Sequence, residues 1–135
     1  MLGRKAENAA RLSDEYQERV IQLIGDNSDE PITQLEMNEK ASQAFNRSDQ
    51  RLSDLICELE HYLDPDRKIA LQIAQDAWYK FRTKHAEFCA DQYRGGSIFP
   101  LIYASAADDV TITRIMEIDS QLREMKRLQQ GQELL

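Results

Sequence analysis

Two residue pairs in this sequence have the spacing of metal ligands. Glu58 and His61 stand three apart on what reads as a helix, the arrangement of half a carboxylate-bridged di-metal centre. Such a centre needs a second Glu-x-x-His and two more glutamates on facing helices. The other histidine, His85, falls roughly 30 Å away at the rise of a helix, so the di-metal reading fails. His85 and Cys89 are four apart and could face one zinc ion. Two further ligands would then have to be carboxylates, an unusual structural set. A partly exposed histidine beside a small buried thiol accounts for the pair more simply. No metal and no cofactor is expected.

Hydrolysis and anion binding fare no better. Carboxylates are plentiful but fall mostly on solvated helix faces, and no nucleophile, base and orienting group stand out. Gly95-Gly96-Ser97 could offer backbone N–H groups to an anion. No neighbouring Lys-Ser or further glycine completes a phosphate loop. A helix stop followed by a cap explains the triplet better: Gly95 takes the left-handed conformation that closes a last turn, and Ser97 caps the next helix. Trp78 and Arg82 lie one turn apart and share a face. Tryptophan is costly to leave exposed. Trp78 is therefore expected to fill the junction where the last helices fold back, with Arg82 bonding a carboxylate or terminal carbonyls there. Arg114 is expected to brace the same junction. No catalytic residue is assigned, and the chain reads as a non-enzyme.

The elements that must hold these groups are helices. With 5 Gly and 3 Pro in 135 residues, turns are few and long helices are favoured. Residues 4–24 place Ala9, Leu12, Tyr16, Val20 and Leu23 or Ile24 at helical spacing, and Gly25 with DNSDEP reads as a stop and linker. Thr33-Gln-Leu-Glu36 is a capping box. Ala41, Phe45, Ser48, Leu52, Leu55, Leu59 and Tyr62 then form a narrow apolar seam suited to a neighbouring antiparallel helix. Asp64-Pro65 supplies an N-cap and a first-turn proline, so the turn is tight and the next helix runs antiparallel. That helix, Asp66 to about Tyr93, is assigned the inner face Ile69, Ile73, Ala77, Phe81 and Phe88, with Trp78 beside it. A short helix containing Pro100 follows the glycine corner. A final helix from about Thr111 turns Ile115, Ile118, Leu122 and Met125 inward, and the tail after Arg127 is expected to fray.

The fold expected is therefore all-α. A long antiparallel hairpin carries a flanking N-terminal helix (residues 1–30 with its linker) and C-terminal helices packed on a core at 33–125. The whole makes one domain over 1–135. A net charge of -7 argues against nucleic acid, whose phosphates need a cationic face. It suits solubility, or a basic protein partner drawn in by charge. No apolar run approaches the roughly 20 residues of a membrane span. The first twenty residues lack the apolar stretch of an export signal, so the chain as written reads as cytoplasmic, or as periplasmic if Met1 heads an already processed chain.

In order along the chain stand TQLEMNEKA, SDQRLSDLI, AWYKFR, YRGGSIFPLIYAS and TITR. This combination resembles the LprI-like lysozyme-inhibitor family over about Thr33 to Leu122. Trp78-x-x-x-Arg82, Gly95-Gly96-Ser97 and Thr111-x-x-Arg114 carry the likeness most strongly. The resemblance implies a small helical bacterial protein, usually found outside the cytoplasm, that binds another protein. Family members carry cysteines where this chain has Lys40, Ala86 and about Ala106, with one more in the linker; all are absent here. Folding the hairpin about Asp64 puts Cys57 and Cys89 about 25 Å apart, beyond the roughly 7 Å reach of a disulfide, so no intramolecular bridge is expected. Two missing bridges would forgo about 2–4 kcal/mol each, which fits a reducing compartment or a compensating core or dimer interface.

The signature residues are accordingly read as architecture, and function as surface. Ile98, Phe99 and Tyr103 belong to an apolar run too rich for one short helix to bury, and they are the candidate partner contacts. The primary reading is a helical inhibitor of a lysozyme-type peptidoglycan hydrolase, or an immunity protein blocking a toxin, acting by steric occlusion. The second is a cytoplasmic adaptor or homo-oligomeric structural protein, a homodimer among the options.

Overall fold

A computed structural model of the protein describes residues 32–133. Three long helices make it up: α1 (Gln34–Glu60), α2 (Pro65–Ala90) and α3 (Phe99–Glu133). There is no strand among the described residues. The helix expected over 4–24 and its linker lie outside them.

The local rules place the starts of both α1 and α2. Thr33 is extended, and its Oγ1 accepts from the Glu36 N–H at 3.1 Å, opening α1. Asp64 is likewise extended, its Oδ1 accepting from the Arg67 N–H at 2.8 Å, with Pro65 in the first turn. Each satisfies one of the donors orphaned at a helix start. The turn between them is short, so α2 runs back along α1 as the hairpin expects.

Beyond this the packing departs from a simple hairpin. Instead of a short helix and a separate final one, α3 is a single rod of 35 residues. It passes through Thr111 without a break and carries LQQGQE to Glu133, so that part of the tail is helical. The rod does the packing: its principal partners are α1 and then α2. Asn38 meets Ser97 near the start of α3, and Glu58 meets Lys126 near its end. Thus α1 and α3 run parallel, with α2 antiparallel to both.

Sequence explains why α3 takes this place. Within Leu101–Asp108 every residue except the half-buried Tyr103 is buried, and the run is rich in Ala104, Ser105, Ala106 and Ala107. Small side chains let helices approach closely on several sides at once. Towards the far end Leu52, Leu55 and Leu59 of α1 pack with Ile118 and Leu122 of α3, and Trp78 and Leu71 of α2 close the cluster. The α1 seam from Ala41 to Leu59 and the α3 inner face are therefore where the periodicity puts them. Tyr62, however, lies past the end of α1 and is exposed, and the helix packed on the seam is the parallel α3 rather than an antiparallel neighbour.

The α2 assignment is overturned. Ile69, Ile73, Phe81 and Phe88 are 55%, 66%, 55% and 69% exposed, and Ala77 is exposed with them. The face that α2 turns inward is Leu71, Gln75, Trp78, Arg82, Ala86 and Cys89, at steps of four and three. It includes a glutamine and an arginine, whereas the rejected stripe is purely apolar. Hydrophobic periodicity alone therefore selects the wrong side.

Candidate functional site

Arg82 is the polar centre of the bundle. Its side chain is 14% exposed, and Nη1 donates to Asp49 Oδ1 on α1 at 2.6 Å and to Thr111 Oγ1 on α3 at 3.2 Å. One guanidinium thus ties all three helices. Its carbon sits 4.8 Å from the ring centre of Phe45 and 5.0 Å from those of Trp78 and Tyr79, within the range of cation–π attraction. Thr111 is fully buried, and its hydroxyl donates a hydrogen bond to the Ala107 carbonyl at 2.7 Å. That leaves its lone pairs to receive the arginine.

A second rung lies two turns further along. Arg114 Nε donates to Gln75 Oε1 at 2.7 Å, and this donor fixes which end of the buried amide faces α3. Trp78 stands between the rungs, edge-on to Tyr79 at 5.2 Å between ring centres. Trp78, Arg82, Thr111 and Arg114 therefore come together, but at mid-bundle rather than at the fold-back junction where sequence reasoning puts them. Sequence reasoning missed Gln75 and Asp49, and placed Phe45 on the α1 seam without joining it to Arg82. The i−3 spacing of Gln75 from Trp78 was the signal for the first; Asp49 comes from another helix and leaves none.

The glycine corner lies at the opposite end of α2. The helix stops at Ala90, a single 3-10 turn (Asp91–Tyr93) follows, and Gly95 takes φ +79°, a value L side chains rarely adopt. Gly96 N–H donates to the Tyr93 carbonyl at 2.9 Å, and a Cβ on Gly96 would come within 3.1 Å of that same oxygen. Ser97 contributes its carbonyl, which accepts from Asn38 Nδ2 at 3.0 Å and pins the corner to α1. Ile98, Phe99 and Tyr103 are half-buried, packed on the cluster of Ala86, Cys89, Ala90, Ile102, Ala106 and Ala107, with Phe99 and Tyr103 stacked at 6.1 Å. At the same end Leu35 and Phe88 are exposed.

Elsewhere chemistry is sparse. Glu58 pairs with Lys126 at 2.9 Å, an exposed contact whose hydrogen bond raises the lysine pKa above its usual value. His61 is exposed beyond the end of α1. His85 Nε2 lies 3.6 Å from Cys89 Sγ while its ring stacks on Phe81. No group of three or more His, Cys, Asp or Glu among the described residues is arranged to hold a metal. A cleft of about 310 Å³ near the α1–α2 turn is lined by Leu63, Arg67, Leu71, Arg114, Glu117 and Gln121 among others. No helix among the described residues is long and apolar enough to cross a membrane.

Among the described residues the buried polar side chains Arg82, Thr111 and Gln75 thus tie three helices together, which defines a helical scaffold. The sequence matches the family described as Lysozyme inhibitor LprI over residues 25–118, more than two-thirds of the chain, and the protein belongs to that family. Membership implies action by binding another protein. The match opens at Gly25, so it takes in the polar linker ahead of α1. No curated protein and no solved structure matches the chain.

The departures from the family pattern now have a physical setting. Ala86 and Ala106 are 0% and 1% exposed and belong to one buried cluster. Two alanines thus occupy the space in which the family resemblance implies cysteines. Cys57 is exposed, Cys89 is buried, and neither is bridged. Introducing Ala86→Cys with Ala106→Cys, in a Cys89→Ala background, should yield a disulfide closing a loop of about 20 residues. The expected gain is about 2–3 kcal/mol, read as the difference in urea midpoint between oxidised and reduced samples.

Proposed function

We propose that the protein inhibits a lysozyme-type peptidoglycan hydrolase, or neutralises a toxin of comparable basic character, by lodging its corner end in the target's cleft. Family membership carries the reading. The corner supports it: Ile98, Phe99 and Tyr103 lie half-exposed beside the exposed Leu35 and Phe88. These side chains are held on a backbone that the Gly95 turn and the Asn38–Ser97 bond fix in advance, and pre-organisation limits the entropy lost on binding. A net charge of -7 would draw in a basic enzyme and raise the association rate most at low salt.

The test is hydrolysis of a peptidoglycan suspension by a basic lysozyme with increasing protein, at low and at physiological salt. Inhibition is expected, stronger at low salt. Leu35→Ser with Phe88→Ser should weaken it at least tenfold without moving the unfolding midpoint, both side chains being exposed. Unchanged hydrolysis under a large excess at low salt would rule out the lysozyme version.

The unbridged cysteines and the alanine pair at 86 and 106 favour a second reading. A reducing compartment asks for no disulfides, so the protein would be a cytoplasmic relative that keeps the scaffold and meets a different protein. Fractionation of the source cell separates the two by where the native protein is found.

A further inference from the structure

We infer that the outward face of α2 is a self-complementary surface on which a second copy of this chain docks antiparallel. Ile69, Ile73, Ala77 and Phe81 line that face, over a length of about 18 Å at the helical rise. The three large residues are each more than half exposed. A continuous apolar stripe of this kind on a charged helix marks a contact site. Lys80, Lys84 and Asp66 lie on the same side by helical period.

The order of residues identifies the occupant. Two α2 helices related by a two-fold axis level with Gln75 place Ile69 opposite Phe81 of the other copy. They also place Ile73 opposite Ala77, Ala70 opposite Lys80 and Asp66 opposite Lys84. Two of these pairings set a bulky or long side chain against an alanine, one joins apolar neighbours, and the outermost joins opposite charges. Every pair occurs twice, as an isologous interface requires. Lys84 already reaches Glu87 at 3.3 Å but is 80% exposed, so its ammonium can turn to a second carboxylate. The buried face of α2, with Gln75 and Arg82, points away from this surface and stays committed to the bundle. The inference is independent of the inhibitor reading, because it uses the flank of the scaffold rather than its corner.

Sedimentation equilibrium of the full chain over a wide concentration range should show a species of twice the 15.7 kDa chain mass. Phe81→Asp should weaken association about 100-fold while leaving the helical circular dichroism unchanged. Asp66→Lys should weaken it about tenfold, and Asp66→Lys with Lys84→Asp should restore it. In a Cys57→Ala background, a mixture of the Ile73→Cys and Ala77→Cys single variants should cross-link on oxidation more readily than either alone. A strictly monomeric chain would overturn the inference, whether the stripe is then covered by the chain's own N-terminal residues or by a different protein. So would a dimer indifferent to Phe81→Asp and to the charge exchange.

Discussion

Arg82→Ala is expected to lower stability by about 3 kcal/mol, the loss of a tie among three helices rather than of one ion pair. A hydrogen bond to a charged group contributes about 1.5–3 kcal/mol, and Arg82 makes two, to Asp49 and Thr111. Its guanidinium also lies against three aromatic rings, each contact adding about 0.5–2 kcal/mol depending on how dry it is. Desolvation of the cation offsets much of that sum. Asp49 keeps 39% of its side chain in water, so stranding it costs less than stranding a fully buried carboxylate. Arg82→Lys should recover less than half, because an ammonium cannot hold Asp49 and Thr111 while presenting a flat face to the rings. Asp49→Asn should cost about 1 kcal/mol, consistent with a half-exposed partner. In a double-mutant cycle Arg82→Ala and Asp49→Ala should be less than additive by about 1 kcal/mol. Urea unfolding followed by circular dichroism measures all of these. A midpoint unmoved by Arg82→Ala would release the arginine from this architectural role and make it available to a ligand.

How much of this was legible in the sequence depended on whether an element carried one signal or two. The starts of α1 and α2 were fully readable, because Thr33 and Asp64 cap through atoms within three residues of themselves. The seam from Ala41 to Leu59 was readable because its face is apolar and the opposite face is not. Two signals compete on α2, an apolar stripe and a half-polar one, and the polar stripe is the one that packs. Burying an arginine or a glutamine is costly unless partners satisfy it. Gln75 Nε2 has none among the described residues, but Arg82 and Gln75 Oε1 have theirs. Those partners, Asp49, Thr111 and Arg114, lie on other helices and 29 to 39 residues away in the chain. The Trp78–Arg82 pair pointed to the inner face, and its resemblance to a family signature was better evidence of packing than hydropathy was. The length of α3 was misjudged for a related reason. The sequence reading separates a short helix around Pro100 from a final one at about Thr111. Yet Asp108, just ahead of that boundary, is buried, inside a continuous rod that the small residues before it allow to sit between its neighbours.

This asymmetry between helices leads to a contrast in truncations. Leu52→Ala should cost about 3–4 kcal/mol and Ile73→Ala close to nothing in the dilute chain, although both belong to apolar stripes of equal regularity. Leu52 is 0% exposed, at the centre of the cluster formed with Leu55, Leu59, Ile118 and Leu122. Removing it forfeits the transfer free energy of the lost carbons and leaves a cavity between two rigid, parallel helices. Leucine-to-alanine changes in such settings cost about 2–5 kcal/mol, more where neighbours cannot collapse. Collapse is restricted here because α1 and α3 are pinned at both ends, by Asn38 to Ser97 and by Glu58 to Lys126. Ile73 is 66% exposed, so little surface returns to water on truncation, and alanine's better helix propensity offsets most of the remainder. Guanidinium unfolding at low protein concentration reads both. If the two variants lost equal stability, the outward face of α2 would already be packed within a single chain, and the second-copy interface would lose its surface. The contrast therefore tests both the packing of α2 and the inference built on its outward side.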